Sequence, residues 1–181
     1  PLVFSIKGIF RGRKMREFLA FIGFGFEHAT GVIIWPIFIF FFILNEQFTS
    51  LGLVTSLSLF FASVFVIMVG KVSDLHRKLV LRISAIANSI VWGIKALVKT
   101  SLQVIGIDIV YGITQASINI PFDAISYDKA NKEGIVKFIV YRELVINIGR
   151  AFFFAIMFFV VDLTASFIWG GSLGSVIQLL F

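Results

Sequence analysis

Two groups of side chains in this chain have the types and spacing to do chemistry. The first is the adjacent pair Glu27 and His28, set in the otherwise apolar and aromatic stretch 18–44. If that stretch starts a helix near Phe18, Glu27 lies about nine residues in, at roughly 14 Å depth on the helical rise. A carboxylate in hydrocarbon costs on the order of 3 kcal/mol or more, so it is kept there for proton exchange or cargo contact. If the helix starts nearer Gly23, the pair instead anchors an interface, and both readings stay open. The second group is Asp108, Gln115 and Asn119, at i, i+7 and i+11, flanked by Tyr111 and Phe122. That spacing puts all three on about the same helix face. Such a stripe belongs toward a bundle interior or a water-filled cavity, contacting solute or fastening neighbouring helices.

Two further charged constellations punctuate the apolar sequence. Residues 70–78 read GKVSDLHRK, with Gly70, Asp74, Arg77 and Lys78 between two apolar runs. Gly70 is expected to end a helix and turn the backbone, and Asp74 to cap a helix or pair with an arginine. Farther on, Arg142 and Glu143 open an apolar run that also holds Asn147, Gly149 and Arg150. Arg142 is expected to meet Asp74 or Asp128, and Arg150 to snorkel or find a carboxylate.

The elements that position these groups are membrane spans. The 181 residues are 59% hydrophobic and only 14% charged, and the mean hydropathy is +1.00. A soluble domain carries about 25% charged residues, and 23 phenylalanines would have no core to fill in one of this size. Six stretches reach the roughly 20 apolar residues that cross a bilayer, at about 18–44, 51–70, 79–98, 103–125, 138–161 and 164–181. Residues 1–17 alternate apolar and basic positions, as expected of a cytoplasmic amphipathic lead-in lying along the membrane or of a linker between two halves. Thr49 or Ser50 is expected to cap the second span, the segment Tyr127–Glu133 to form a polar loop, and Pro121 to kink the fourth span. Gly170 and Gly174 form a small-xxx-small pattern for close helix packing, and the runs Phe38–Phe42 and Phe152–Phe154 are expected to face lipid.

Basic residues set the orientation. Lys7, Arg11, Arg13, Lys14 and Arg16 precede the first span, Lys71, Arg77, Lys78 and Arg82 follow the second, and Lys129, Lys132, Lys137 and Arg142 follow the fourth. The opposite connections hold Lys95 and Lys99. This bias predicts both termini in the cytoplasm. It also assigns the net charge of +6 to topology rather than to nucleic acid.

With its six spans and its basic loop between the second and third, the chain resembles half of a major facilitator superfamily transporter. In that family the loop reads roughly Gly-x-Leu-x-Asp-Arg-x-Gly-Arg-Arg. Gly70, Val72, Asp74 and Lys78 fit, whereas Leu75 replaces an arginine and Arg77 a glycine. The resemblance implies that Asp74, Arg77 and Lys78 gate the cytoplasmic side, with Arg142, Glu143 and Arg150 in the same network. It also implies that the first and fourth spans line a central cavity. The basic lead-in resembles the linker between halves and favours the C-terminal half. Pro1 and the apolar end at Phe181 lead to the expectation that the chain is part of something longer.

The function expected is secondary active transport of a small solute by alternating access, with Glu27 suited to proton coupling. The missing half or a second copy would complete the pathway, in the cytoplasmic membrane of a prokaryote. The alternative is a non-transporting membrane scaffold or partner-binding subunit of the same fold. Enzymatic chemistry and cofactors are not expected. There is no cysteine, no phosphate-cradling glycine loop and no nucleophile elbow.

Overall fold

The computed structural model describes residues 15–160 and 162–181, with the backbone alone over 71–75. The regular elements among the described residues are all helices. Helix α1 (Met15–Phe42) contains one wide π-helical turn at Thr30–Ile34. The stretch Phe48–Lys95 is helical except at His76, whose φ of −140° and ψ of 52° divide it into α2 (48–75) and α3 (77–95). Helix α4 is Ser101–Glu133, α5 is Ile135–Phe159, and α6 is Leu163–Leu180 with a π turn at Phe167–Ser172.

Four of these helices, α1, α2 up to Gly70, α4 and α6, are long and apolar enough to cross a membrane. Helices α3 and α5 fall short of the same standard for a physical reason. The first carries Lys78, Arg82 and Lys95, and the second Lys137, Arg142, Glu143 and Arg150. This architecture is that of an integral membrane protein. Its outer surface agrees, since Leu59, Phe60, Ile67, Met68, Phe158 and Phe159 are all exposed.

Several boundaries differ from the sequence expectation. Gly70 does not end a helix, because α2 runs through it and the break falls at His76. The supposed loop Tyr127–Glu133 is the last part of α4, which ends only at Gly134 with φ +98°. A run such as Asp128-Lys-Ala-Asn-Lys-Glu133 holds good helix formers and can leave the bilayer still coiled. Helix α2 is preceded by Gln47 rather than started from Thr49 or Ser50, after Asn45 and Glu46 turn the chain at positive φ. Pro121 sits inside α4 without ending it.

The core has two apolar layers stacked along α1. Phe21 and Phe24 pack with Phe122, Phe138, Tyr141 and Ile146. Farther along, Trp35 and Phe38 pack with Trp92, Phe153 and Phe167. The phenylalanine runs expected to face lipid are therefore divided, with Phe38 and Phe153 buried and Phe41, Phe42 and Phe152 exposed. Helices α1 and α6 cross closely at glycines. A methyl group on Gly174 would lie 2.8 Å from the carbonyl oxygen of Gly23 and 2.9 Å from the amide nitrogen of Glu27. The small-xxx-small pattern is thus a contact face, and it seals the bundle beside Glu27.

Candidate functional site

Glu27 lies between the two apolar layers and is wholly buried. It is twelve residues into the 28-residue helix α1, about 18 Å along the axis, so it stands in the interior rather than near an end. Two other helices, α3 and α4, aim donors at it. The Trp92 indole N–H (3.1 Å), the Tyr111 hydroxyl (2.9 Å) and the Asn88 amide (3.2 Å) donate to Oε1, and the Gln115 amide (3.0 Å) donates to Oε2. All four groups are donors, which suits an ionised carboxylate. Hydrogen bonds to a charged group contribute about 1.5–3 kcal/mol each, and four of them outweigh an insertion cost on the order of 3 kcal/mol.

The cluster continues outward. The Thr114 hydroxyl donates to Asn88 Oδ1 (2.7 Å), Asn88 donates also to Ser175 Oγ (2.9 Å), and Gln115 donates to Asn119 Oδ1 (3.3 Å). Residues from α1, α3, α4 and α6 therefore share one polar network. Trp92 packs against the π turn of α6. Gly171 lies against the indole, with no room for a methyl group, and Phe167 stacks on it at 5.8 Å. Single π turns occur often where a helix is adapted to a functional site.

A second buried pair adjoins this network. Lys95 Nζ, fully buried, lies 3.1 Å from Asp108 Oδ1 in a geometry that makes an ion pair rather than a hydrogen bond. The Trp35 indole donates to the same oxygen at 2.8 Å. The Lys95 ammonium stands over the Tyr111, Trp35 and Trp92 rings, 3.6, 4.3 and 4.5 Å from their centres.

Between α1, α2 and α4 is a cavity of about 470 Å³, with Asp108, Tyr111, Gln115 and Asn119 on the α4 wall and Trp35 on the α1 wall. Thr55, Ser58 and Ala62 face it from α2. The polar stripe read from the spacing of α4 is thus brought to one surface.

Other expected site residues lie apart. His28 packs against Phe24 at 6.0 Å, half-buried, and does not line the cavity. Arg150 reaches the amide oxygen of Asn147 at 3.2 Å, so among the described residues it meets no carboxylate. Arg142 pairs with Asp123 and lies 4.0 Å from Glu143. Asp128, offered as its partner, is taken by Arg77 at 2.7 Å. The Asp74 side chain lies outside the described residues. Lys78 is exposed beside Arg16 and Arg82 in a small basic recess. Lys129 reaches Glu17 at 2.9 Å and stands over the Phe181 ring. One end of the bundle thus gathers the start of α1, the start of α3 and the end of α4, tied by ion pairs, with the end of α6 held by the Lys129 ammonium over Phe181.

Sequence reasoning missed Asn88, Trp92, Ser175 and the true place of Lys95. The sequence pattern assigns Lys95 to the exterior connections, yet it is wholly enclosed. A signal was present, since Asn88, Trp92 and Lys95 stand at i, i+4 and i+7 of α3 and share a face.

The chain matches no known protein family, and neither a curated protein nor a solved structure is detectably similar to it.

Proposed function

We propose that this chain is half of a secondary active transporter of the major facilitator type, moving a small solute by alternating access. The observation that carries the reading is the cavity of about 470 Å³, whose wall bears Asp108, Gln115 and Asn119 and which backs onto the buried carboxylate of Glu27. A hydrocarbon-facing helix would not keep that stripe, whereas a solute pathway needs it. All six helices cross the membrane in this reading, with α3 and α5 shielding their charges in the bundle and at the cytoplasmic end. Both termini are cytoplasmic, in keeping with the basic residues that flank α1, α3 and α5. Asp74, Arg77 and Lys78 belong to the cytoplasmic gate, with Arg142 and Glu143 nearby. A second half or a second copy closes the pathway, and rocking between the halves alternates access. Glu27 exchanges a proton when its donors separate.

One observation favours a second reading, that of a non-transporting scaffold. Glu27 is saturated by four internal donors, the arrangement of a fastener between helices. Uptake separates the two. Vesicles carrying the protein are assayed with radiolabelled amines, sugars, amino acids and carboxylates, and the active class is reassayed in Glu27→Gln, Asp108→Asn, Phe158→Ala and Phe159→Ala. Transport requires uptake of at least one class, lost in the first two variants and kept in the last two. No uptake, or equal losses in all four, would leave the scaffold.

A further inference from the structure

The structure settles a question that composition leaves open, namely the sign of the charge that the cavity wall presents. Glu27, His28, Asp108 and Arg150 together specify no sign. Only one of the four lines the cavity, and it is Asp108. Glu27 is wholly buried behind Tyr111 and Gln115, and His28 and Arg150 lie elsewhere. Lys95, the nearest cation, is also fully buried and does not line the cavity.

Asp108 is only partly used by its neighbours. The Trp35 indole and the Lys95 ammonium both contact Oδ1, and no described donor reaches Oδ2. Asp108 is the one charged side chain among the described residues that line the cavity, and Lys95 meets it at Oδ1 alone, which leaves Oδ2 as an acceptor in a medium of low dielectric. Charge interactions are strong there, and a cation entering the cavity is favoured over an anion.

The neighbouring rings specify what kind of cation. Trp35, Trp92 and Tyr111 already hold an alkylammonium, the side chain of Lys95, at 3.6 to 4.5 Å from their centres. Aromatic faces with one carboxylate recognise weakly hydrated organic cations. A hard metal ion would instead require six or more oxygen ligands. Trp35 and Tyr111 belong to the cavity lining as well as to this cage.

We propose that the cavity binds a small organic monocation, an alkylammonium or quaternary ammonium, between Asp108 and the rings of Trp35 and Tyr111. The proposal rests on the transport reading and names its cargo class.

The test is binding, read by tryptophan fluorescence of the purified protein in detergent. Trp169 is exposed, so Trp169→Phe removes the reporter outside the site. Three solutes of like shape are titrated: choline, its neutral isostere 3,3-dimethyl-1-butanol, and the anion isethionate. Tetraethylammonium serves as a larger cation. The expected result is half-saturation by choline or tetraethylammonium at a concentration at least tenfold below that of the alcohol, with no response to isethionate. Asp108→Asn should raise the value for the cation by tenfold or more, and Asp108→Glu should recover most of it. The proposal is overturned by equal binding of cation and alcohol, by preference for isethionate, by silence toward both cations, or by an unchanged affinity in Asp108→Asn. Should Asp108→Asn fail to fold, the comparison of isosteres on Trp169→Phe decides alone. Cation binding without uptake would remove the transport reading and keep the site. Uptake of only neutral or anionic solutes would keep transport and remove the site.

Discussion

The indole N–H of Trp92 on α3 donates to Oε1 of Glu27 on α1 across 3.1 Å, while the same ring rests against Gly171 of α6. One side chain thereby fixes three helices around a buried charge. The contact is one of four that let an acid be tolerated between two layers of phenylalanine.

Trp92→Phe keeps an aromatic ring, deletes the donor and leaves unfilled part of the volume of a fully buried indole. Glu27 then retains three partners, and the lost bond to a charged acceptor should cost about 1.5–3 kcal/mol. Denaturant unfolding in detergent measures this directly. A change below about 0.5 kcal/mol would mean that the bond to the indole contributes little.

Two glycines should respond in opposite directions. Gly174→Val forces side-chain atoms against the backbone of Gly23 and Glu27, and overpacking of this kind costs about 1–3 kcal/mol. Gly70 is helical with open space around it, so Gly70→Ala should stabilise by about 0.5–1 kcal/mol. Thermal unfolding of both variants checks the pair, and a destabilising Gly70→Ala would restore a turning role to that glycine.

The ion pairs at the charged end should differ in worth. Arg77 and Asp128 are both well exposed, with side chains 38% and 60% accessible, so a double-mutant cycle should give less than about 1 kcal/mol and fade in high salt. Arg142 is buried to 10% opposite Asp123. Removing Asp123 alone should cost more, because it leaves a guanidinium poorly solvated. Equal cycles for the two pairs would contradict the burial.

Asp162 caps α6, accepting from the Thr164 hydroxyl at 2.6 Å and the Thr164 amide at 2.8 Å. These donors hold its carboxyl below the ordinary value of 3.8. A depressed value in the folded state means stability present above the unfolded pKa and lost as pH falls through the folded one. Acid unfolding should therefore lose a contribution below about pH 4, and Asp162→Ala should abolish that part of the pH dependence. An unchanged acid limb in Asp162→Ala would remove the cap from the account.

Some of this was legible in the sequence because the bilayer imposes strict rules. Helices with polar stripes must turn them inward, so the spacing of Asp108, Gln115 and Asn119 on α4 already specified one face. For Glu27 the sequence leaves open an interior position or an interface, and only the packing shows it wholly buried. What the sequence did not show was the rotation and crossing of neighbouring helices. Asn88, Trp92 and Lys95 share a face of α3, yet only packing reveals that this face meets Glu27 and Asp108. Lys95 near a helix end reads as a topology signal until three aromatic rings enclose it. Gly70 reads as a turn because glycine permits one, but nothing in α2 requires it, and the backbone breaks at His76 instead.

Alternating access is the central claim, and the absence of cysteine in the chain makes one measurement decisive. Single cysteines are placed at Thr55 and Asn119, both on the cavity wall, and at exposed Phe158. Right-side-out and inside-out native vesicles are treated with a membrane-impermeant maleimide. The account predicts labelling of Thr55→Cys and Asn119→Cys from either side, and none of Phe158→Cys from either side. Labelling of the cavity positions from one side only, or from neither, would contradict it.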